Sequence, residues 1–135
     1  MKKENKLSLS EQNEFKGIIN YLRNKSSNKI EDEIVVSASS LHDNESNRQP
    51  QNVTLFDDQS KYFLSNGIKD EWLKFEFKNN RVIPKGYTIR SALLKSVADC
   101  HPKSWNIEGS NDNNSWETID EVKNCSYLNG KGRIH

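Results

Sequence analysis

Apolar residues follow two different rhythms along this chain. In "LSLSEQNEFKGIINYLRNKSSNK", Phe15, Ile18, Ile19 and Leu22 recur at i, i+3, i+4 and i+7, one stripe on a helix. Ser8 followed by Glu11 has the spacing of a capping box, which would satisfy the first free amides of that helix. Gly17 weakens the helix slightly, and the Ser26-Ser27-Asn28 run ends it. The stripe needs a cover, which is either the rest of the chain or a second copy. From Ile30 onward the period falls to two, and the pattern predicts short strands.

"EIVVSASS" is β-branched and bounded by polar turns, and Asn44 to Asn52 reads as a polar loop. "EWLKFEF" alternates: Leu73, Phe75 and Phe77 face one way, Trp72, Lys74 and Glu76 the other. The Asn79-Asn80 pair is a turn, since Asn tolerates positive φ. "GYTIRSA" is a further expected strand, and a loop runs from residue 93 to 103. "SWNIEGS" and "SWETIDEV" follow as strands, joined by the Ser/Asn/Asp turn between them. Alternation makes Trp105 and Ile107 core residues; Trp116 and Ile119 open the next strand, and Trp116, like the other aromatic, is read as core. An Asn129-Gly130 turn then leads toward one more strand that barely starts. Strands with turns at this spacing and no interleaved helices predict an all-β sandwich or barrel behind a short N-terminal helix. The boundary is placed after residue 28.

Composition narrows the function classes. At 135 residues the prior is one domain with a modest core, and a mean hydropathy of -0.93 means its apolar residues must be placed well. No window holds the roughly 18 apolar residues of a membrane span, and "MKKENKLSLSEQ" has no secretory pattern, so a cytoplasmic location is expected. Twenty basic and 19 acidic side chains, mixed along the chain, give a net charge of +1. That balance argues against nucleic acid and against a polybasic membrane patch. Cys100 and Cys125 are too few for a disulfide framework and are read as free thiols. Asparagine occurs 17 times, so sequons such as those at Asn44, Asn52, Asn113 and Asn124 are expected by chance.

Candidate chemistry is thin. Asp57-Asp58 and Asp70-Glu71 are solvated turns before they are acid/base pairs, because adjacent carboxylates on a strand face apart. Asp57, Asp58 and Ser60 offer hard oxygen ligands that would begin a calcium site, without EF-hand spacing. Cys100, His101 and Cys125, with His42 or His135, fit no zinc spacing. There is no nucleophile elbow, no triad pattern and no Gly-rich phosphate loop. No cofactor is expected, and the chain reads as non-catalytic.

"VIPKGYTIRS", "HPKSWNIEGSNDNNSWETIDE" and "LNG" together resemble the discoidin family, the coagulation factor 5/8 C-terminal (type C) domains of the galactose-binding-like superfamily. The likeness runs from about Gly17 to Gly130 and is to the intracellular branch found in protist proteins. The resemblance implies a jelly-roll β-sandwich over residues 29–135, with a ligand surface on loops at one end and no catalytic machinery. It also implies a protein or carbohydrate ligand and a place within a larger intracellular adaptor. Family members continue past "LNG" with further strands, so the expectation is a sandwich incomplete at its C-terminus. Where secreted members carry a calcium-like loop with Asp-Gly, this chain reads "LFDDQSKYF", with Asp58 in place of Gly.

Within that frame the expected ligand-binding residues are Arg48 and Gln49 in the first long loop and Asp58 and Lys61 in the second. Arg90, His101 and Lys103 surround the third. Rival readings are a strict galactose-type lectin, with Tyr62, Phe63 or Trp72 as a stacking ring, and an accessory domain of a larger enzyme or ubiquitin-ligase adaptor. A third rival is an oligomerisation unit acting through the Phe15–Leu22 stripe.

Overall fold

A computed structural model describes residues 14–94, 96 and 100–135. The described part is a small β-rich fold with two two-stranded antiparallel sheets and one short α-helix. The chain divides into two compact units, Met1–Thr88 and Ile89–His135.

In the first unit, α1 spans Ile18–Lys25. It is shorter than its apolar stripe suggested. Gly17 is the N-cap and supplies no side-chain acceptor, and Phe15 lies ahead of the helix, stacked on Phe56 with centroids 5.7 Å apart. The expected capping box at Ser8 and Glu11 lies outside the described residues. Leu22 is the buried anchor of the stripe, at 1% exposure. Arg23 and Lys25 in the last turn suit the negative end of the helix dipole. The helix ends where Ser27 and Asn28 enter the left-handed region at φ 54 and 69. The Asn28 amide donates to the Arg23 carbonyl at 2.9 Å and the Ser27 amide to the Asn24 carbonyl at 3.4 Å, a Schellman-type stop.

A 3₁₀ turn at Ile30–Asp32 then leads into β1, Ile34–Ala38, which pairs antiparallel with β2, Leu73–Phe77. The register sets Ile34 opposite Phe77, Val36 opposite Phe75 and Ala38 opposite Leu73. These β-branched and aromatic pairs share one face, with Ile34 buried, and Val35–Glu76 and Ser37–Lys74 share the other. Trp72 stands exposed just before β2, as its alternation implied. The two strands are not a hairpin. The long connection between them folds into 3₁₀ turns at Ser46–Arg48 and Pro50–Thr54, where the sequence pattern showed only a loop.

In the second unit, β3, Trp105–Gly109, pairs antiparallel with β4, Glu117–Val122. Ile107 faces Asp120 and Glu108 faces Thr118, so Ile119 is the extra residue of a β-bulge. Trp105 and Ile107, expected as core residues, are half-buried. The expectation that Trp116 is a core residue is corrected: it is 45% exposed, and Ile119 beside it is 49% exposed. Three positions separate them, so they do not share the period-two face, and the bulge breaks the alternation between them.

"GYTIRSA" does not form a regular strand. Within it Arg90 makes an isolated bridge to Ile134, and Ile89 and His135 exchange backbone bonds of 2.9 Å each way. The start of a last strand expected after Asn129-Gly130 is therefore the partner of residues 89–91. Ser91 reinforces this pairing, its hydroxyl donating to the Gly130 carbonyl at 2.6 Å. Among the described residues, Leu128 and Cys125 are the buried apolar residues of this unit.

Candidate functional site

A hydrogen-bonded polar assembly lies in the long connection between β1 and β2. It begins with Asp43, whose Oδ1 accepts from the Glu45 amide at 3.0 Å, an Asx turn. Asp43 Oδ2 accepts from Arg48 Nη1, and Arg48 Nε donates to the Tyr62 hydroxyl at 3.0 Å. Gln49 turns its amide inward and donates to the carbonyls of Asp43 and Glu45 at 3.2 and 2.9 Å.

The second loop is laced to the first along the backbone. Tyr62 N donates to Asn47 O at 2.9 Å, Leu64 N to Arg48 O at 3.2 Å, and His42 N to Leu64 O at 3.1 Å. Beneath them Asn52 is buried, and its amide nitrogen donates to the carbonyls of Ser46 and Tyr62 at 2.9 and 3.2 Å. The Asn52 sequon is thus a structural clamp, with Thr54 buried beside it. Leaving those two carbonyls unmatched would carry the desolvation penalty of unpaired buried groups.

Charge is arranged to hold this geometry. Partial desolvation pushes the Asp43 carboxyl up, but the Glu45 amide, the Arg48 bond and charge, and His42 together hold it below its ordinary value. Arg48 is raised by its bonds to Asp43 and Tyr62. It is therefore a fixed cation, oriented from two sides and a third exposed along its side chain. A side chain pinned in this way loses little further entropy when a ligand meets its remaining N–H groups.

The other expected site residues are placed differently. Asp58 caps its own turn, with Ser60 Oγ at 2.6 Å and Ser60 N at 3.0 Å. Those bonds, with a smaller contribution from Lys61, lower its pKa. Asp57 points elsewhere and accepts from Arg23 Nη1 at 3.2 Å. Asp57, Asp58 and Ser60 therefore do not converge as three ligands. Among the described residues no three His, Cys, Asp or Glu side chains gather as a metal ion would need. Lys61 is half-buried beside Asp58, and its amide closes the same turn at 3.1 Å to Asp58 O.

Arg90, His101 and Lys103 belong to the second unit. Arg90 is half-buried in the bridge to Ile134. His101 has its Nδ1 buried without a hydrogen bond, and Lys103 is exposed while its carbonyl accepts from the Cys125 amide at 2.7 Å.

Sequence reasoning missed Asp43, although Asp-x-Glu before a polar loop is a legible Asx-turn signal. Glu71, read only as half of a solvated Asp70-Glu71 turn, instead has a carboxylate that accepts from Ser40 Oγ at 2.6 Å, Ser39 Oγ at 3.0 Å and Ile68 N at 3.2 Å. The Ser40 bond, against a partial desolvation and with help from Ser39 and Ile68, lowers its pKa.

The turn between β3 and β4 is equally self-contained. Asp112 Oδ1 accepts from Ser110 Oγ at 3.0 Å and from the amides of Asn114 and Ser115 at 2.8 Å each. The Ser115 and Asn114 amides bring its pKa down to about 2. Asn113 takes the left-handed conformation at φ 61.

No protein-family model, curated protein or solved structure matches this chain. Among the described residues no helix is long and apolar enough to cross a membrane.

Proposed function

We propose that this chain is a non-catalytic recognition module of the discoidin kind, working inside the cell as part of an adaptor. In this reading the two small sheets belong to a galactose-binding-like jelly roll. The ligand, a protein or a carbohydrate, is met by the loops around Arg48, Gln49 and Tyr62. The observation that carries the reading is the double anchoring of Arg48 by Asp43 and Tyr62. A preoriented guanidinium beside a phenol ring and a carboxylate supplies donors, an acceptor and a stacking surface, the usual equipment for reading hydroxyls or carbonyls. Nothing in that grouping pairs a nucleophile with a base, so it serves binding rather than bond-breaking.

The test is a thermal melt with a panel of simple hexoses, with and without calcium, on the wild type and Arg48→Ala. A melting temperature that rises with one sugar by mass action, and does not rise in Arg48→Ala, identifies a lectin. Indifference to every sugar shifts the expectation to a protein ligand, captured by wild type and lost with Arg48→Ala. The reading fails if neither a sugar response nor an Arg48-dependent capture is seen.

A further inference from the structure

We propose that Asn66–Gly67 is a site of self-modification, where the Asn66 side-chain amide is lost through a cyclic imide closed by the Gly67 nitrogen. The product carries a new carboxylate in the turn held by Glu71 and loosens the hydrogen bonds that lead into β2. This chemistry is independent of the reading given to the loops around Arg48.

The chain holds two Asn-Gly pairs, Asn66–Gly67 and Asn129–Gly130. In both, the residue after asparagine has no Cβ to hinder its backbone nitrogen from reaching the side-chain carbonyl carbon. The fold separates them. Ring closure needs the peptide between the two residues to turn, so whatever holds that peptide governs the rate.

Asn129–Gly130 is pinned within the second unit. Leu128, immediately before it, is 0% exposed, and the Asn129 amide donates to the Ser126 carbonyl at 3.1 Å. The Gly130 carbonyl accepts from Ser91 Oγ at 2.6 Å, and Ser91 is itself buried. Two residues on, the Gly132 amide donates to the Ala92 carbonyl at 3.0 Å. Turning this peptide disturbs part-buried bonds.

Asn66–Gly67 sits differently. Residues 66–70 are all exposed. A Cβ placed on Gly67 would meet nothing within 4 Å. The Gly67 amide, the attacking nitrogen, donates to Ser65 Oγ at 3.4 Å, beyond the usual range of such bonds. The flanking bonds run from Asn66 N to Ser40 Oγ at 3.0 Å and from Ile68 N to Glu71 Oε1 at 3.2 Å. Both are open to water, which can replace them at little cost.

Water alone balances the reaction. The Gly67 nitrogen gives its proton to solvent hydroxide and bonds to Asn66 Cγ. The Cγ–Nδ2 bond breaks, and ammonia leaves with a proton from water, which restores the hydroxide. Water then opens the ring. Addition at Cγ yields aspartate, and addition at the backbone carbonyl carbon of residue 66 yields isoaspartate, whose main chain runs through Cβ and Cγ and is one atom longer. Nothing is oxidised or reduced.

Either product adds a negative charge to a turn organised around the Glu71 carboxylate, which accepts from Ile68 N and Ser40 Oγ. The extra main-chain atom of isoaspartate also displaces those donors. Ser39 carries the change onward, because its hydroxyl donates to Glu71 Oε2 at 3.0 Å and accepts from Trp72 N at 2.9 Å, next to β2.

The test holds the full chain in mildly alkaline buffer, folded and, in parallel, unfolded in urea. Tryptic peptides Tyr62–Lys69 and Asn124–Lys131 carry the two pairs, and mass spectrometry follows the gain from amide to acid in each. Fragmentation separates Asn129 from Asn124 in the second peptide. In urea the two pairs are expected to react at similar rates. In the folded chain Asn66 is expected to react roughly tenfold or more faster than Asn129, the ratio set by the extra bonds that hold Gly130. Isoaspartate is expected to exceed aspartate, since direct hydrolysis of the side chain gives aspartate alone. Gly67→Ala, whose methyl group crowds the attacking nitrogen, is expected to slow the reaction roughly tenfold or more. In the isolated product the Ile68 and Trp72 amides are expected to exchange faster than in the unmodified chain.

Asn129 reacting as fast as Asn66 in the folded chain overturns the proposal. A folded chain in which neither reacts, while both react in urea, overturns it too. Aspartate without isoaspartate, or Gly67→Ala reacting as fast as wild type, overturns the ring route. Unchanged exchange at Ile68 and Trp72 in the product overturns the link to β2.

Discussion

Ile119 lies directly over Gly109. Its Cδ1 stands 3.0 Å from the place a Cβ on Gly109 would take, so the bulge on β4 folds its extra side chain into the space that glycine leaves open on β3. The relationship explains how a β-branched residue sits at a bulge without splaying the hairpin. It also sets a scale of cost for three glycines.

Gly109→Ala meets only the far end of a half-exposed side chain, which can rotate toward solvent. Its expected cost is below about 1 kcal/mol. Gly67 has φ +70 with open space around it, so Gly67→Ala carries the left-handed penalty alone, about 1–2 kcal/mol. Gly132 combines φ +63 with a Cβ position 2.5 Å from Leu93 Cδ2, and Gly132→Ala costs the most, about 2–3 kcal/mol. Urea midpoints, read on the transition of the unit that holds each glycine, check the order. A Gly109 variant more damaging than the Gly132 variant would contradict it.

The end of α1 makes the opposite prediction, a gain. Ser27 occupies the left-handed position of the Schellman stop, where a Cβ is unfavourable and glycine is the usual residue. Ser27→Gly is expected to stabilise the chain by about 0.5–1 kcal/mol, the relieved strain exceeding the extra freedom of glycine in the unfolded state. An unchanged or lower urea midpoint would show that Ser27 is not strained there.

The strand pattern located all four strands, β2 and β3 by clean alternation and β1 by its β-branched run, although β4 has positions 117 to 121 exposed. It failed where local rules compete. Trp116 and Ile119 stand three apart, an odd spacing for one strand face, and that oddness was itself the trace of the bulge. Gly17 was read as a flaw inside a helix and is its N-cap, since nothing in the apolar stripe says where the first turn closes. At the candidate site, Arg48 and Gln49 were legible as polar loop residues, but their partners were not. Asp43 is five positions from Arg48 and Tyr62 fourteen, and no local periodicity encodes a bond across two loops. The fixed Asp43–Arg48–Tyr62 grouping is a tertiary fact.

Asn52 tests that grouping from below. At 6% exposure it holds two carbonyls, one from each loop, with a single amide nitrogen. Asn52→Ala leaves both unmatched and is expected to cost about 1–3 kcal/mol. Asn52→Asp is expected to cost at least as much, because a carboxylate cannot donate and would be buried against two acceptors. Both variants should also free Arg48, seen as faster exchange of the Tyr62 and Leu64 amides. An alanine variant as stable as wild type would remove Asn52 from this role.

Asp112 supplies a pH signature for the β3–β4 turn. Its carboxyl is lowered to about 2 by the Ser115 and Asn114 amides and the Ser110 hydroxyl, against the ordinary 3.8 it has when unfolded. A depressed folded value means that the carboxylate's contribution is fully present above the unfolded value. It is lost as the pH falls through the folded one, between about pH 4 and about pH 2. Asp112→Asn removes the titrating group, so wild type should be the more stable protein near neutrality, with a gap that narrows over that acid window. Carboxyl chemical shifts of wild type locate the titration directly, and denaturant midpoints of both proteins at several pH values follow the gap. A midpoint near the ordinary carboxylate value, or a gap that stays constant into acid, would mean that the turn closes through the backbone without help from this charge.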